Sequence, residues 1–147
     1  MTRINDTNNT NETNMKEILH KELSYKINGI LFRVHNKLGR FMNEKRYSDA
    51  IEEELGIAQI PYKREFCLEK SFKGENINRN KVDFMIDDKI IIEVKAKPIT
   101  TKNDYFQSQR YLHSADYKLG ILVNFRRQHL KPKRIINADF DSRHSYV

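Results

Sequence analysis

Cysteine is almost absent from this chain: Cys67 stands alone among 147 residues. A single thiol excludes an internal disulfide framework and points to a reducing, cytoplasmic compartment. Lying in a strand-like segment, Cys67 is expected to behave as a small buried hydrophobe. Long apolar runs are missing as well. None approaches the roughly 18 residues needed to cross a bilayer, and the N-terminus carries no apolar h-region, so neither a membrane span nor a signal peptide is expected. There is no internal repeat and no glycine-rich phosphate loop, which sets aside the nucleotide-cradling classes. The five histidines show neither metal-ligand spacing nor a partner serine motif. His35, beside the apolar stripe of the first helix, reads as structural.

What the chain does have is charge. Twenty-seven basic residues against 20 acidic ones leave a net +7, which favours anionic partners, nucleic acid first. The excess is uneven. Glu52, Glu53 and Glu54 are locally acidic, whereas Arg126, Arg127, His129, Lys131, Lys133 and Arg134 crowd the C-terminal third. A solvated basic surface explains that crowding as well as phosphate binding does. Hydrophobic residues at 38% and charged residues at 32% are ordinary for a soluble protein, and the length suits one domain with a real core.

Residues 1–14 are Asn- and Thr-rich with almost nothing to bury, and are expected to form a disordered tail; residues 15–147 are expected to be a single domain. Leu23, Ile27, Ile30, Leu31, Val34 and Leu38 recur at three- and four-residue steps, predicting an amphipathic helix that ends near Gly39. A second helix is predicted from Asn43 through Tyr47, Ile51 and Leu55 to Gly56. Pro61 opens an extended stretch, Tyr62 to Phe72, followed by a turn over Lys73 to Asn76 and a hairpin. A third helix covers about Lys102 to Ser114, a buried strand Lys118 to Phe125, and a short last strand Arg134 to Ile136. The order predicts an α/β fold: a small mixed sheet, antiparallel in its hairpin and parallel across the third helix.

The hairpin, Asp83 to Lys95, carries the chemistry. Glu93 and Lys95 are two apart on one strand and share a face, while Ile90, Ile92, Val94 and Ala96 take the other. In the preceding strand Val82, Phe84 and Ile86 form the apolar set, leaving Asp83 and Met85 opposite. Keeping both apolar sets on one side pairs Ile86 with Ile90 and Phe84 with Ile92, across a three-residue loop, Asp87-Asp88-Lys89. Asp83 then faces Glu93. Opposed carboxylates repel, so a shared proton or a cation is required, and carboxylate oxygens favour magnesium, manganese or calcium over softer-ligand metals. The competing explanation is a surface ion-pair cluster on an edge hairpin; the apolar Ile90–Ile92 run argues for a buried strand instead.

Asp83 followed by Glu93-Val94-Lys95 resembles the core of the PD-(D/E)xK nuclease superfamily, as does the helix–three strands–helix–strand order. Leu38-Gly39-Arg40-Phe41-Met42-Asn43-Glu44-Lys45-Arg46-Tyr47, the Ile91–Ala96 strand, the helix bearing Gln107 and Tyr111, and Leu119 to Phe125 resemble the bacterial GxxExxY family within it. This similarity covers about Ile27 to Asn137. It departs at Phe41, where the family signature has glycine, and at Val82, where proline often precedes the aspartate. The resemblance implies a restriction-endonuclease-like α-β-β-β-α-β core behind an N-terminal helical segment. It also implies a Mg2+- or Mn2+-dependent nuclease acting on DNA.

In that reading Asp83 and Glu93 are metal ligands, and Lys95 orients the attacking water or stabilises the charge developing at the phosphate, electrostatic stabilisation being preferred to a general-base role. Glu44 resembles the helix-borne glutamate that completes such sites, as an outer or second-metal ligand; an exposed acid at a helix N-terminus is the even alternative. Gln107 and Tyr111, four apart, can act together on one helix face, against the alternative that Tyr111 is core and Gln107 merely surface; Gln109 points elsewhere. Arg126, Arg127, Lys131 and Lys133 are the candidate nucleic-acid contacts. Tyr105, Phe106, Tyr111 and Phe125 could stack on bases, but Phe106 and Phe125 are read as core. Dimerisation is one way for so small a nuclease to reach two strands. The alternative function is a non-catalytic nucleic-acid- or partner-binding module on the same scaffold.

Overall fold

The computed structural model describes residues 3–68, 73–76, 80–115 and 119–137. Ile27, Ile30, Leu31 and Val34 lie on one face of helix α1 (Arg3–Leu38), and all four are buried. The helix reaches back to Arg3, across the Asn- and Thr-rich stretch whose composition predicts disorder. Once the packed half of a helix is nucleated, each added residue gains a backbone hydrogen bond without a new nucleation cost. Gly39 ends α1: its N–H donates to the His35 carbonyl at 2.8 Å and its φ is 75°, the left-handed conformation glycine adopts most cheaply. Helix α2 (Glu44–Ile57) is capped by Asn43, whose side-chain oxygen accepts from the Arg46 N–H at 2.8 Å,.

Five strands follow in spatial order β1 (Tyr62–Cys67), β2 (Lys81–Ile86), β3 (Ile90–Lys95), β4 (Leu119–Asn124) and β5 (Lys133–Ile136). Neighbours are antiparallel except β3 and β4, which run parallel across helix α3 (Lys102–Ala115). A crossover helix is what a parallel connection requires. This is the small α/β fold with a mixed sheet that the element order predicts. The hairpin register is also as predicted, Ile86 opposite Ile90 and Phe84 opposite Ile92. Its loop holds Asp87 and Asp88 at φ values of 49° and 52°, a conformation Asp tolerates better than most residues.

The sheet is packed on both faces. On one side α1 and α2 cover Phe84, Ile86, Ile90, Ile92, Val94, Ile121, Val123 and Phe125; on the other α3 covers Met85, Ile91, Leu122 and Ile135. Three expectations need correction. Val82 packs with Met85 and Ile91, not with Phe84 and Ile86, because the alternation of β2 breaks between Val82 and Phe84. Cys67 is only half-buried, since it ends the edge strand β1. Phe106 is 61% exposed, because it looks outward from α3 while Tyr111 and Leu112 face the sheet; Phe125 is core as expected, stacked on Tyr47 with ring centroids 4.3 Å apart.

Candidate active site

The break in alternation marks the site. In the register between β1 and β2, Arg64 pairs with Phe84 and Phe66 with Val82, which sets Glu65 beside Asp83 with no ladder pair of their own. On the other side, the paired residues of β2 and β3 stop at Phe84 and Ile92, one step short of Asp83 and Glu93. Side chains replace the missing ladder bonds. The Asp83 N–H donates to Glu93 Oε1 at 3.1 Å, and the Val94 N–H donates to Asp83 Oδ2 at 2.6 Å. Glu65 holds a φ of 52°, which costs a residue with a β-carbon about 1–2 kcal/mol. The kink shared by β1 and β2 thus turns three acids, Glu65, Asp83 and Glu93, onto one level across three strands.

Burial makes this level electrostatically tense. Glu93 is 5% exposed. Burial, then the neighbouring Asp83 carboxylate, pushes its carboxyl up to about 8. Asp83 is raised for the same first reason, with Glu44 and Glu65 adding to the rise and the Val94 N–H and Lys95 opposing it. At neutral pH the pair therefore keeps a proton, the relief that facing carboxylates require. Lys95 lies on the face of Glu93 and acts on both acids through its charge, while among the described residues it makes no ion pair. Its place is held from below by Asn124, which pairs with it across the β3–β4 ladder. The Asn124 side chain also accepts from the Lys97 and Arg126 N–H groups and donates to the Lys97 carbonyl.

Asp83 opens onto a cavity of about 540 Å³ lined also by Glu44, Lys45, Ser48, Asp49, Arg64 and Glu65. Glu44 comes to it from the exposed first turn of α2. Arg64 spans the opposite wall, its guanidinium 2.7 Å from Asp49 and 3.5 Å from Glu52, and the pairing holds Asp49 below the usual carboxylate range. Tyr111 is buried beneath β3; burial first, and the Glu93 charge second, raise its hydroxyl. Asp83, Glu93, Lys95, Glu44 and Tyr111 thus share one neighbourhood. Gln107 opens instead onto a second cavity with Asn103, Asp104, Phe106 and Arg110. Gln109 bonds Tyr105 Oη and the Ile136 carbonyl, away from both. The basic four spread around the end of the sheet. Arg126 and Arg127 reach the α1 side, the Arg127 carbonyl 2.9 Å from His35 Nε2, and Lys133 lies over the Tyr105 ring on the α3 side.

Sequence reasoning passed over Glu65, Arg64 and Asp49. Only the irregular alternation of Tyr62 to Phe72 hinted at a kink there. As a metal site the donor set is of the right kind, carboxylates with Asp83 Oδ1 and Glu93 Oε2 free of hydrogen bonds among the described residues. It is open rather than closed: no three His, Cys, Asp or Glu side chains among the described residues are gathered as a ready cage. Such oxygen sets suit hard ions that keep several waters.

No helix among the described residues is long and apolar enough to cross a membrane. No match was found among curated proteins or among solved structures. A family profile, described as the PD-(D/E)XK nuclease superfamily, matches residues 21–135, a span that holds Glu44, all five strands but the last residue of β5, and every group of the site. Facing acids on a split hairpin, a lysine two residues on and a helix–sheet–helix frame around them are thus accounted for together: the chain belongs to the PD-(D/E)XK nuclease superfamily.

Proposed function

We propose that this chain is a metal-dependent nuclease that hydrolyses phosphodiester bonds in DNA, a cytoplasmic member of the bacterial GxxExxY family. The observation that carries the reading is the Asp83–Glu93 pair, Glu93 buried and Asp83 half-buried, each acid tied by one oxygen to the other strand's backbone. That tie costs burial of charge, which a purely structural hairpin would gain nothing from. Asp83 and Glu93 would hold Mg2+ or Mn2+ through their remaining oxygens, with Glu44 as an outer or second-metal ligand. When bound, such an ion neutralises phosphate charge and makes water more acidic.

The chain's own groups do the rest. To hold such an ion, Glu93 would have to be ionised, so metal binding there would be linked to release of its proton. Lys95 stabilises negative charge on the phosphate oxygens. Tyr111, buried behind Glu93, and Gln107 help to orient the site and the strand. Arg126, Arg127, Lys131 and Lys133 supply phosphate contacts. The competing reading, a non-catalytic binding module, is favoured by one observation: the absence of a ready three-ligand cage among the described residues.

Calorimetric titration of Mg2+ and Mn2+ into the wild type and the Asp83→Asn/Glu93→Gln double variant tests the proposal. Binding to the wild type, lost in the variant, is expected, together with metal-dependent cleavage of labelled DNA. Cleavage left intact by Asp83→Ala and by Glu93→Ala would overturn the assignment. No metal binding by the wild type, with DNA present, selects the binding module.

A further inference from the structure

Phe41 is 75% exposed, yet the loop that carries it is fastened on every side. Gly39 caps α1, Asn43 caps α2, and between them Tyr47 acts as a clamp. Its hydroxyl donates to the Gly39 carbonyl at 2.6 Å and accepts from the Met42 N–H at 3.2 Å, while its ring is stacked on Phe125. Arg40 is fixed as well, Nε donating to the Arg126 carbonyl at 2.8 Å. An apolar ring held out by so rigid a loop keeps little freedom to lose on binding.

Two guanidinium groups attend the ring. Arg40 Cζ lies 5.0 Å and Arg126 Cζ 5.7 Å from its centroid, and neither arginine makes an ion pair among the described residues. Arg126 Nη2 also reaches the Ala96 carbonyl at 3.5 Å, one residue beyond Lys95. The ring and its two uncompensated cations therefore stand at the end of β3 beside the candidate site, with Glu44 three residues further along the same loop and helix.

We infer that Phe41, with Arg40 and Arg126, is a binding site for an unpaired nucleobase and its phosphate, so that the chain takes single-stranded or frayed nucleic acid. The inference rests on the nuclease reading for its setting and adds the substrate class. A phenyl ring that stays 75% exposed beside its two arginines can stack on the flat face of any base. A paired base keeps that face inside the duplex and offers only its edges. The flanking guanidinium groups supply the phosphate contact, which no glycine at this position could combine with stacking.

The chain contains no tryptophan, so Phe41→Trp introduces a single reporter at the platform. Affinities for a single-stranded oligonucleotide and for its blunt duplex are measured in chelator, where cleavage plays no part. Phe41→Ala is expected to weaken single-strand binding by about 5- to 150-fold and to leave duplex binding nearly unchanged. Phe41→Trp is expected to keep the affinity and to lose fluorescence on adding the single strand but not the duplex. Equal binding by Phe41→Ala and wild type, an equal loss for both oligonucleotides, or a wild type that binds no single strand overturns the inference. Quenching of the reporter by an acidic peptide as strongly as by the oligonucleotide also overturns it, in favour of a protein partner. Cleavage is assayed separately with Mg2+. Phe41-dependent binding without cleavage keeps the platform and removes the nuclease; cleavage with Phe41-independent binding does the reverse.

Discussion

Glu93 carries the sharpest conflict between folding and chemistry in this molecule. Its carboxyl, ordinarily near 4.5, is held at about 8 by burial and by Asp83. The protonated form is the one the fold prefers. The stability this group contributes is therefore whole below pH 4.5 and is lost as pH rises through about 8, because the unfolded chain ionises first. In chelator, the unfolding free energy of the wild type should fall over that window by an amount on the order of a few kcal/mol. Glu93→Gln, which keeps the shape and never ionises, should flatten the decline. Denaturant titrations at pH 5 and pH 8 check this, and an equally steep decline in the variant would remove Glu93 as its source. At this scale the sequence was readable in part. Facing acids could be inferred from two strands' alternation, whereas the depth of Glu93's burial depends on tertiary packing around β3.

At the scale of elements, the kink shared by β1 and β2 and the loop between α1 and α2 set the site. Glu65 occupies a left-handed conformation in a strand and lines the cavity beside Asp83. Glu65→Gly should relieve the backbone and stabilise the fold by up to about 1 kcal/mol, while removing a carboxylate that raises Asp83. A gain in stability accompanied by lower nuclease activity would show that the strained carboxylate serves the chemistry; thermal unfolding and cleavage assays read the two effects. Tyr47→Phe tests the loop clamp. It leaves the Gly39 carbonyl and the Met42 N–H without their partner, at a cost of about 1–3 kcal/mol by chemical denaturation, and should weaken single-strand binding with the acids untouched. The helices and the hairpin were legible because periodicity and capping are local. The Val82 reversal was not, since it follows from a neighbouring strand kinking at the same level.

Across the whole molecule the net charge is +7, and the four cations Arg126, Arg127, Lys131 and Lys133 are not gathered in one patch: Arg127 and Lys131 are exposed, and Arg126 and Lys133 rest on aromatic rings. Neutralising Arg126, Arg127, Lys131 and Lys133 together should reduce the slope of log affinity against log salt by about 0.7 for each single-strand phosphate contact removed. An unchanged slope, measured by anisotropy over a salt series, would move the nucleic acid to another face. By itself, the sequence determined the element order, the hairpin register and the two faces of β3, because side-chain period and turn chemistry act over a few residues. Tertiary structure alone decided that Glu65 joins Asp83, that Phe106 looks outward, and that Phe41 stands exposed beside two arginines. Each of these depends on surfaces from distant segments meeting, and no local period encodes how they meet.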